Sequence, residues 1–266
     1  MAGTREFFLA RDESGLPLFT DRIVGNERYT ISTSSSTGQR IYVRYYNRKF
    51  PLPPPPFAFF EYSPFDYNAD ETYILELDAN QSATFDAAGE GFYHFQTDTA
   101  GKEGFTLFIS SEEFPEVKKI ENMVDPFRFL VSGKEYKEVI TAADMKAAVE
   151  GFWIDWSGNK ERARSSIKAY YSRVEDANEY FSSHVEGWKS DRGMIYMIYG
   201  KPNKVYRTPL LETWIYGEEN NPLSITFNFV KVINPFTSND YRLNREDYYK
   251  PSWYRSIEAW RNGRVY

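Results

Sequence analysis

The chain has 266 residues, 32 Lys and Arg against 38 Asp and Glu, a net charge of −6, two histidines and no cysteine. The acidic balance excludes a general nucleic-acid binder, which needs a basic footprint to release counterions; the missing thiols exclude disulfides and thiolate metal sites, and two histidines exclude a multi-histidine centre. No apolar run is long enough to cross a membrane as a helix, and the 21 Tyr and 21 Phe favour β-structure.

Residues 1–112 read as an all-β sandwich, immunoglobulin-like or jelly-roll in topology. Leu16–Phe19 and Arg28–Ile31 are short strand candidates, and a polar loop with Gly38 at its turn follows. Arg40–Tyr46 alternates, with Ile41, Val43 and Tyr45 on one face; Thr72–Leu77, Gly91–Thr97 and Gly104–Ile109 repeat the pattern between Gly, Asn and Asp turns. The prolines at 51 and 53–56 require extended polyproline II and read as a stiff connection or sheet edge rather than a docking peptide. Asp66, Asn68 and Asp70 place oxygens at alternate positions like the start of a calcium loop. Glu71 stands where the loop needs glycine and Leu77 where it needs a bidentate Glu, so an acidic turn is expected.

Residues 113–140 read as a charged connector, and 141–266 as an α+β domain with helices packed on a small antiparallel sheet. A capping-box pattern at Thr141–Asp144 starts a short helix closed by Gly151 to Trp153. Ala163, Ile167, Tyr170, Val174, Ala177 and Phe181 recur at helical spacing and predict a long amphipathic helix. Met194–Tyr199, flanked by Gly193, Gly200 and Pro202, reads as a strand buried on both faces. Glu212–Tyr216 and Leu223–Val232 are the next strands, Asp240–Leu243 returns, and a final helix follows Pro251.

Motifs for common chemistry are missing: HExxH, GxSxG, GxxxxGK[ST] and GxGxxG after a strand do not occur. His94 and His184 read as structural or capping residues. A Ser190, His184, Asp191 triad would need adjacent residues to converge, and carboxylate pairs such as Glu186 with Asp191 or Glu212 with Glu218 are weak signals among so many acids. No catalytic residue, cofactor or metal ligand is assigned.

The most distinctive stretch runs from Gly187-Trp188 through Ser190-Asp191-Arg192-Gly193, Gly200 and Pro202 to Glu212, Trp214 and Tyr216. Its structural reading is two tryptophans burying large area, glycines serving backbone geometry, and an ion pair among Asp191, Arg192 and Glu212. The functional reading makes Trp188, Asp191, Arg192 and Trp214 a pocket or partner surface. This order of residues resembles the bacterial GWxTD domain, with Ser190 in place of the usual threonine, over about residues 141–266. The resemblance supplies no catalytic mechanism. It implies an exported or lipid-anchored protein, whereas the charged segment from Arg5 onward reads as cytoplasmic on its own. The expectation is therefore the cell envelope, periplasmic or outer-membrane-associated, with a signal sequence lost ahead of Met1. The function expected is a non-enzymatic scaffold or interaction module that binds another envelope protein. The alternative is a carbohydrate-binding or glycoside-hydrolysing protein using surface aromatics and a carboxylate pair.

Overall fold

The computed structural model describes residues 7–25, 27–34 and 39–265. The turn expected at Gly38 and the start of the charged N-terminal segment lie outside them. The chain forms two units: one takes residues 1–50, 64–114 and 234–237, the other 51–63, 115–233 and 238–266.

In the first unit, period-2 sequence patterns become strands with one face buried. Tyr29, Ile31 and Thr33 face inward from β3 (Arg28–Thr33), and Ile41, Val43 and Tyr45 from β4 (Arg40–Tyr46). With β1 (Phe8–Arg11), β2 (Arg22–Val24), β5 (Glu71–Glu76), β6 (Ser82–Asp86), β7 (Gly91–Gln96) and β8 (Phe105–Ser110), they build two sheets, ordered β1-β3-β6 and β2-β8-β7-β4-β5. All pairings are antiparallel except β2 with β8. Ile31 and Phe85 from the smaller sheet meet Val43, Tyr93, Phe95 and Leu107 from the larger one in a shared core. This split of strands is that of an immunoglobulin-type sandwich, which decides between the two expected topologies. The turn before β7 carries the matching device: the Tyr93 hydroxyl donates to Gly89 O and accepts from Gly89 N–H, both at 3.0 Å.

The outer face of β7 and β8 is also buried. Phe92 and Phe108 join Tyr46, Phe65 and Phe236 in an aromatic cluster, with Phe236 edge-on to the rings of Tyr46 and His94. The alternation expected for Gly91–Thr97 is a correction: burial on both sides lets β7 read GFYHFQ, buried at every position after the first. The expected Leu16–Phe19 strand is a correction. Only Pro17 makes a bridge, to Arg11, and Phe19 is 97% exposed, because proline gives the ladder no N–H. The acidic turn at Asp66–Asp70 closes around a guanidinium. Arg48 donates to Asp66 O, to Asn68 O and to both carboxylate oxygens of Asp70.

The second unit consists of α1 (Ile120–Phe127), α2 (Gly133–Ile140), α3 (Met145–Ser157), α4 (Lys160–Phe181), a single 3-10 turn (Gly187–Lys189), α5 (Asp191–Tyr199), α6 (Tyr249–Arg261) and four strands. These strands, β9 (Lys204–Arg207), β10 (Leu211–Tyr216), β11 (Ile225–Lys231) and β12 (Tyr241–Leu243), form an antiparallel sheet ordered β12-β11-β10-β9. Trp214, Phe227 and Phe229 from the sheet share one core with Trp153, Tyr170, Met194, Ile198 and Trp260 from the helices.

Three expectations change here. The connector is helical: Ser132 and Glu135 form a capping box at the start of α2. Helix α3 is capped by Asp144 and runs through Gly151 to Gly158, whose φ of 76° ends it. The Met194–Tyr199 segment is helix α5, not a strand. Met194, Ile195, Met197 and Ile198 are all buried, and a helix buried nearly all round erases the periodicity that would distinguish it from a buried strand. The proline-rich segment is more than a spacer. Leu52 and Phe57 pack on the second unit's core, and Pro54 and Pro56 offer carbonyls to Arg245 (3.0 Å) and to the Glu246 N–H (3.2 Å).

His94 gives the first unit a pH signature. Its ring nitrogens lie 2.9 Å from Thr106 Oγ1 and 3.0 Å from Lys102 O, and burial lowers its pKa from 6.5 to about 4. The unfolded chain therefore binds a proton that the folded chain refuses between those values. Stability from this group is complete above pH 6.5 and declines as pH falls toward 4, by roughly 3 kcal/mol in all. Urea midpoints measured from pH 7 to 5 are expected to fall in the native protein and to be flatter in His94→Gln. Equal slopes would remove His94 as the cause.

Candidate functional site: the Gly187–Tyr216 signature

Two glycines set the backbone. A Cβ on Gly187 would lie 1.7 Å from Ala177 O on α4, and a Cβ on Gly193 would lie 1.9 Å from Gly187 O. The 3-10 turn is thus wedged between α4 and the first turn of α5 at a spacing that admits no side chain. Ser190 is the N-cap between them: its Oγ accepts from Gly193 N–H at 3.0 Å and donates to Gly187 O at 2.7 Å. A threonine would supply the same hydroxyl. Trp188 is buried; its Nε1 donates to Glu186 at 2.7 Å and its N–H to Asn178 Oδ1 at 3.3 Å.

Asp191 and Arg192 follow in the first turn of α5, both 4% exposed, and they do not share a partner. Asp191 meets Arg245 as a fork, with Nη2 to Oδ1 at 2.5 Å and Nη1 to Oδ2 at 3.1 Å. It also accepts the Leu243 N–H at 2.7 Å and the hydroxyl of Tyr62. Tyr62 lies under the Arg242 guanidinium, 4.1 Å from the ring centroid. Burial and the Asp191 charge push its pKa well above the usual phenol range. Burial opposes the charge on Arg245, but the bonds to Asp191 and Tyr62 outweigh it and raise its pKa.

Arg192 runs the other way. Nη1 donates to Glu212 Oε2 at 3.3 Å and Nη2 to Asn239 O at 3.0 Å, and the guanidinium lies 4.1 Å from the Tyr241 ring centroid. Burial lowers its pKa, against the pull of Glu212. Glu212 is fully committed: Oε1 accepts Trp214 Nε1 at 2.6 Å, and Oε2 also accepts Arg207 Nε at 3.2 Å. At the other end of α5, Gly200 takes φ 80°, and a Cβ there would sit 3.0 Å from the Arg173 guanidinium. Arg173 donates to the Met197 and Ile198 carbonyls, placing a cation at the helix C-terminus, and Tyr216 donates to Gly200 O at 2.7 Å. Half-buried Pro202 follows in the turn to β9.

The expected Arg192–Glu212 pair forms, while Asp191 belongs to a second pair with Arg245. Arg245, Tyr62, Asn239 and Arg173 went unmarked in the sequence because each reaches the signature from a distant segment. The arrangement does not build a triad. Ser190 Oγ is spent on its own helix cap, Asp191 on Arg245, and His184 lies 3.8 Å from Asp240. Of the carboxylate pairs, Glu186 holds Trp188 and Lys189, and Glu212 is buried while Glu218 is exposed. Among the described residues no group of three His, Asp or Glu side chains is placed to hold a metal ion, and no helix is long and apolar enough to cross a membrane.

A family model of the GWxTD domain matches residues 91–262. The chain belongs to the GWxTD domain family. The match starts at β7 of the sandwich and ends just past α6, so it reaches further upstream than residue 141, where the resemblance read from the motif began. No curated protein and no solved structure matches the chain.

The signature's members predict an order of stability losses. Asp191→Asn leaves the buried Arg245 charge without its counter-ion and is expected to cost about 3–5 kcal/mol. Ser190→Ala loses one cap and costs about 1 kcal/mol, whereas Ser190→Thr is near neutral. Gly193→Ala must separate the 3-10 turn from α5 and costs more than Ser190→Ala. Chemical denaturation of the four variants tests the ranking, and a near-neutral Asp191→Asn would contradict it.

Proposed function

We propose that this GWxTD protein is a non-enzymatic interaction module of a bacterial cell envelope, a subunit or scaffold that binds another envelope protein. One observation carries the reading. The polar atoms of the family signature are spent inside the fold, on one another, on the backbone and on side chains from other segments: Ser190 on a helix cap, Asp191 on Arg245, Tyr62 and Leu243, and Glu212 on two arginines and Trp214. A signature used this way preserves a shape, and a preserved shape serves recognition by its surfaces. The envelope placement rests on what the family resemblance implies. The glycan reading draws no support from the tryptophans, because none of the six is exposed and a sugar platform needs an open ring face.

The test is purification of the full-length protein from its native envelope in mild detergent, with mass spectrometry of what accompanies it. A stoichiometric protein partner is expected. Recovery of the protein alone would overturn the reading, and binding on a glycan array would then favour the carbohydrate alternative.

A further inference from the structure

One edge of the four-stranded sheet departs from the construction of the rest of the second unit. Residues 203–210 are exposed without a break, including all four residues of β9. Its neighbour β10 buries Glu212 and Trp214 against the helices. In register with them are Arg207 and Val205. Both remain open, with the Arg207 side chain 70% exposed, so β9 extends past the helical cover.

β9 is also terminal in the sheet, hydrogen-bonded to β10 on one side only. The Thr208 N–H to Leu211 O bond sets the alternation. By that alternation Lys204 and Tyr206 direct their backbone groups to β10, while the N–H and C=O of Val205 and Arg207 point away from the sheet. Such an edge is a template for another strand.

The side chains along it carry one sign of charge. Lys201, Lys204 and Arg207 occur between Gly200 and Leu211 with no acidic residue among them, in a chain of net charge −6. The edge already holds one carboxylate: Glu219, from the loop after β10, accepts Lys204 Nζ at 2.5 Å and Tyr206 Oη at 2.7 Å. At the opposite end Glu212 is shared by Arg207 and Arg192, which leaves one positive charge in excess.

We propose that β9 is a strand-addition site for an extended acidic segment of a partner protein. The assignment rests on the interaction-module reading and names the chemistry of its partner. A second copy of this chain is a poor occupant, because β9 against β9 brings together two edges of the same sign of charge. Nucleic acid or an anionic membrane would satisfy the charges but has no peptide backbone to complete the Val205 and Arg207 edge.

The experiment uses the full chain and a short fluorescent peptide of alternating Val and Glu, with a second peptide of equal charge whose alternate amides are N-methylated. The first is expected to bind and to slow amide exchange at Val205 and Arg207; the second is expected not to bind. Val205→Pro removes an outward N–H while sparing the β10 ladder, and Lys201→Glu with Lys204→Glu reverses the charge. Each is expected to weaken binding at least about tenfold, with thermal melting used to confirm folding. Equal binding of the N-methylated peptide overturns the assignment, as does binding retained in Val205→Pro, displacement by an oligonucleotide that is itself insensitive to Val205→Pro, or no binding of either peptide. A native partner that Val205→Pro still captures sinks the β9 assignment and leaves the scaffold reading intact. If the wild type captures no native partner, the scaffold reading fails, and the peptides judge β9 separately.

Discussion

A carboxylate with almost no access to water sits at the first turn of α5, and much of the second unit is arranged to make that tolerable. Desolvating Asp191 costs several kcal/mol, which only a well-aligned counter-ion and further hydrogen bonds can offset. The offset comes from three places in the sequence: the Arg245 fork, the Leu243 N–H on β12, and the Tyr62 hydroxyl beyond the proline run. One side chain thereby fixes where the last strand, the approach to α6 and the 51–63 segment must lie. Arg192, one residue on, does the same for β10 through Glu212 and for the Asn239 loop. The two neighbours face opposite partners because successive residues on a helix are about 100° apart.

The glycines make this placement possible. Gly187 and Gly193 bring the 3-10 turn within backbone contact of α4 and α5, so the charged turn begins deep in the core. A side chain at either position would move Asp191 and Arg192 away from partners that hold them by directional bonds. The family name records the outcome: glycine for approach, tryptophan for buried area, a hydroxyl for the cap and aspartate for the hub.

The strands of each unit were legible where one face is wet. β3, β4, β10 and β11 alternate because each separates a core from solvent, and the alternation survives in Ile41, Val43 and Tyr45 or in Phe227 and Phe229. β7 is legible from the turn residues that bound it, although both its faces are covered and it does not alternate. α5 reads as a strand for a related reason, since its apolar residues are continuous. Its true markers were the punctuation, Ser190 ahead of it and Gly200 behind it, which are helix caps as readily as strand ends. The second helix of the connector, α2, has a readable marker as well, Ser132 with Glu135 three residues on. The ion pair of Arg192 with Glu212 could be inferred inside one motif. Arg245 and Tyr62 could not, because nothing local to NREDYY or to the proline run reports a buried aspartate far away in sequence.

The 51–63 segment has a consequence for how the protein is made. It belongs to the second unit yet is synthesised before most of it, whereas Phe236 belongs to the first unit and is synthesised after nearly all of that unit. Tyr62 lies 129 residues before Asp191, and Pro54 lies 191 residues before Arg245. As the chain leaves the ribosome, the sandwich lacks one ring of its aromatic cluster and the second unit lacks Arg245 until translation is almost complete. Neither unit can close in the order in which it is translated. A cut at residue 114 would separate each from a piece of itself, so the two units are one folding problem written in a single reading frame.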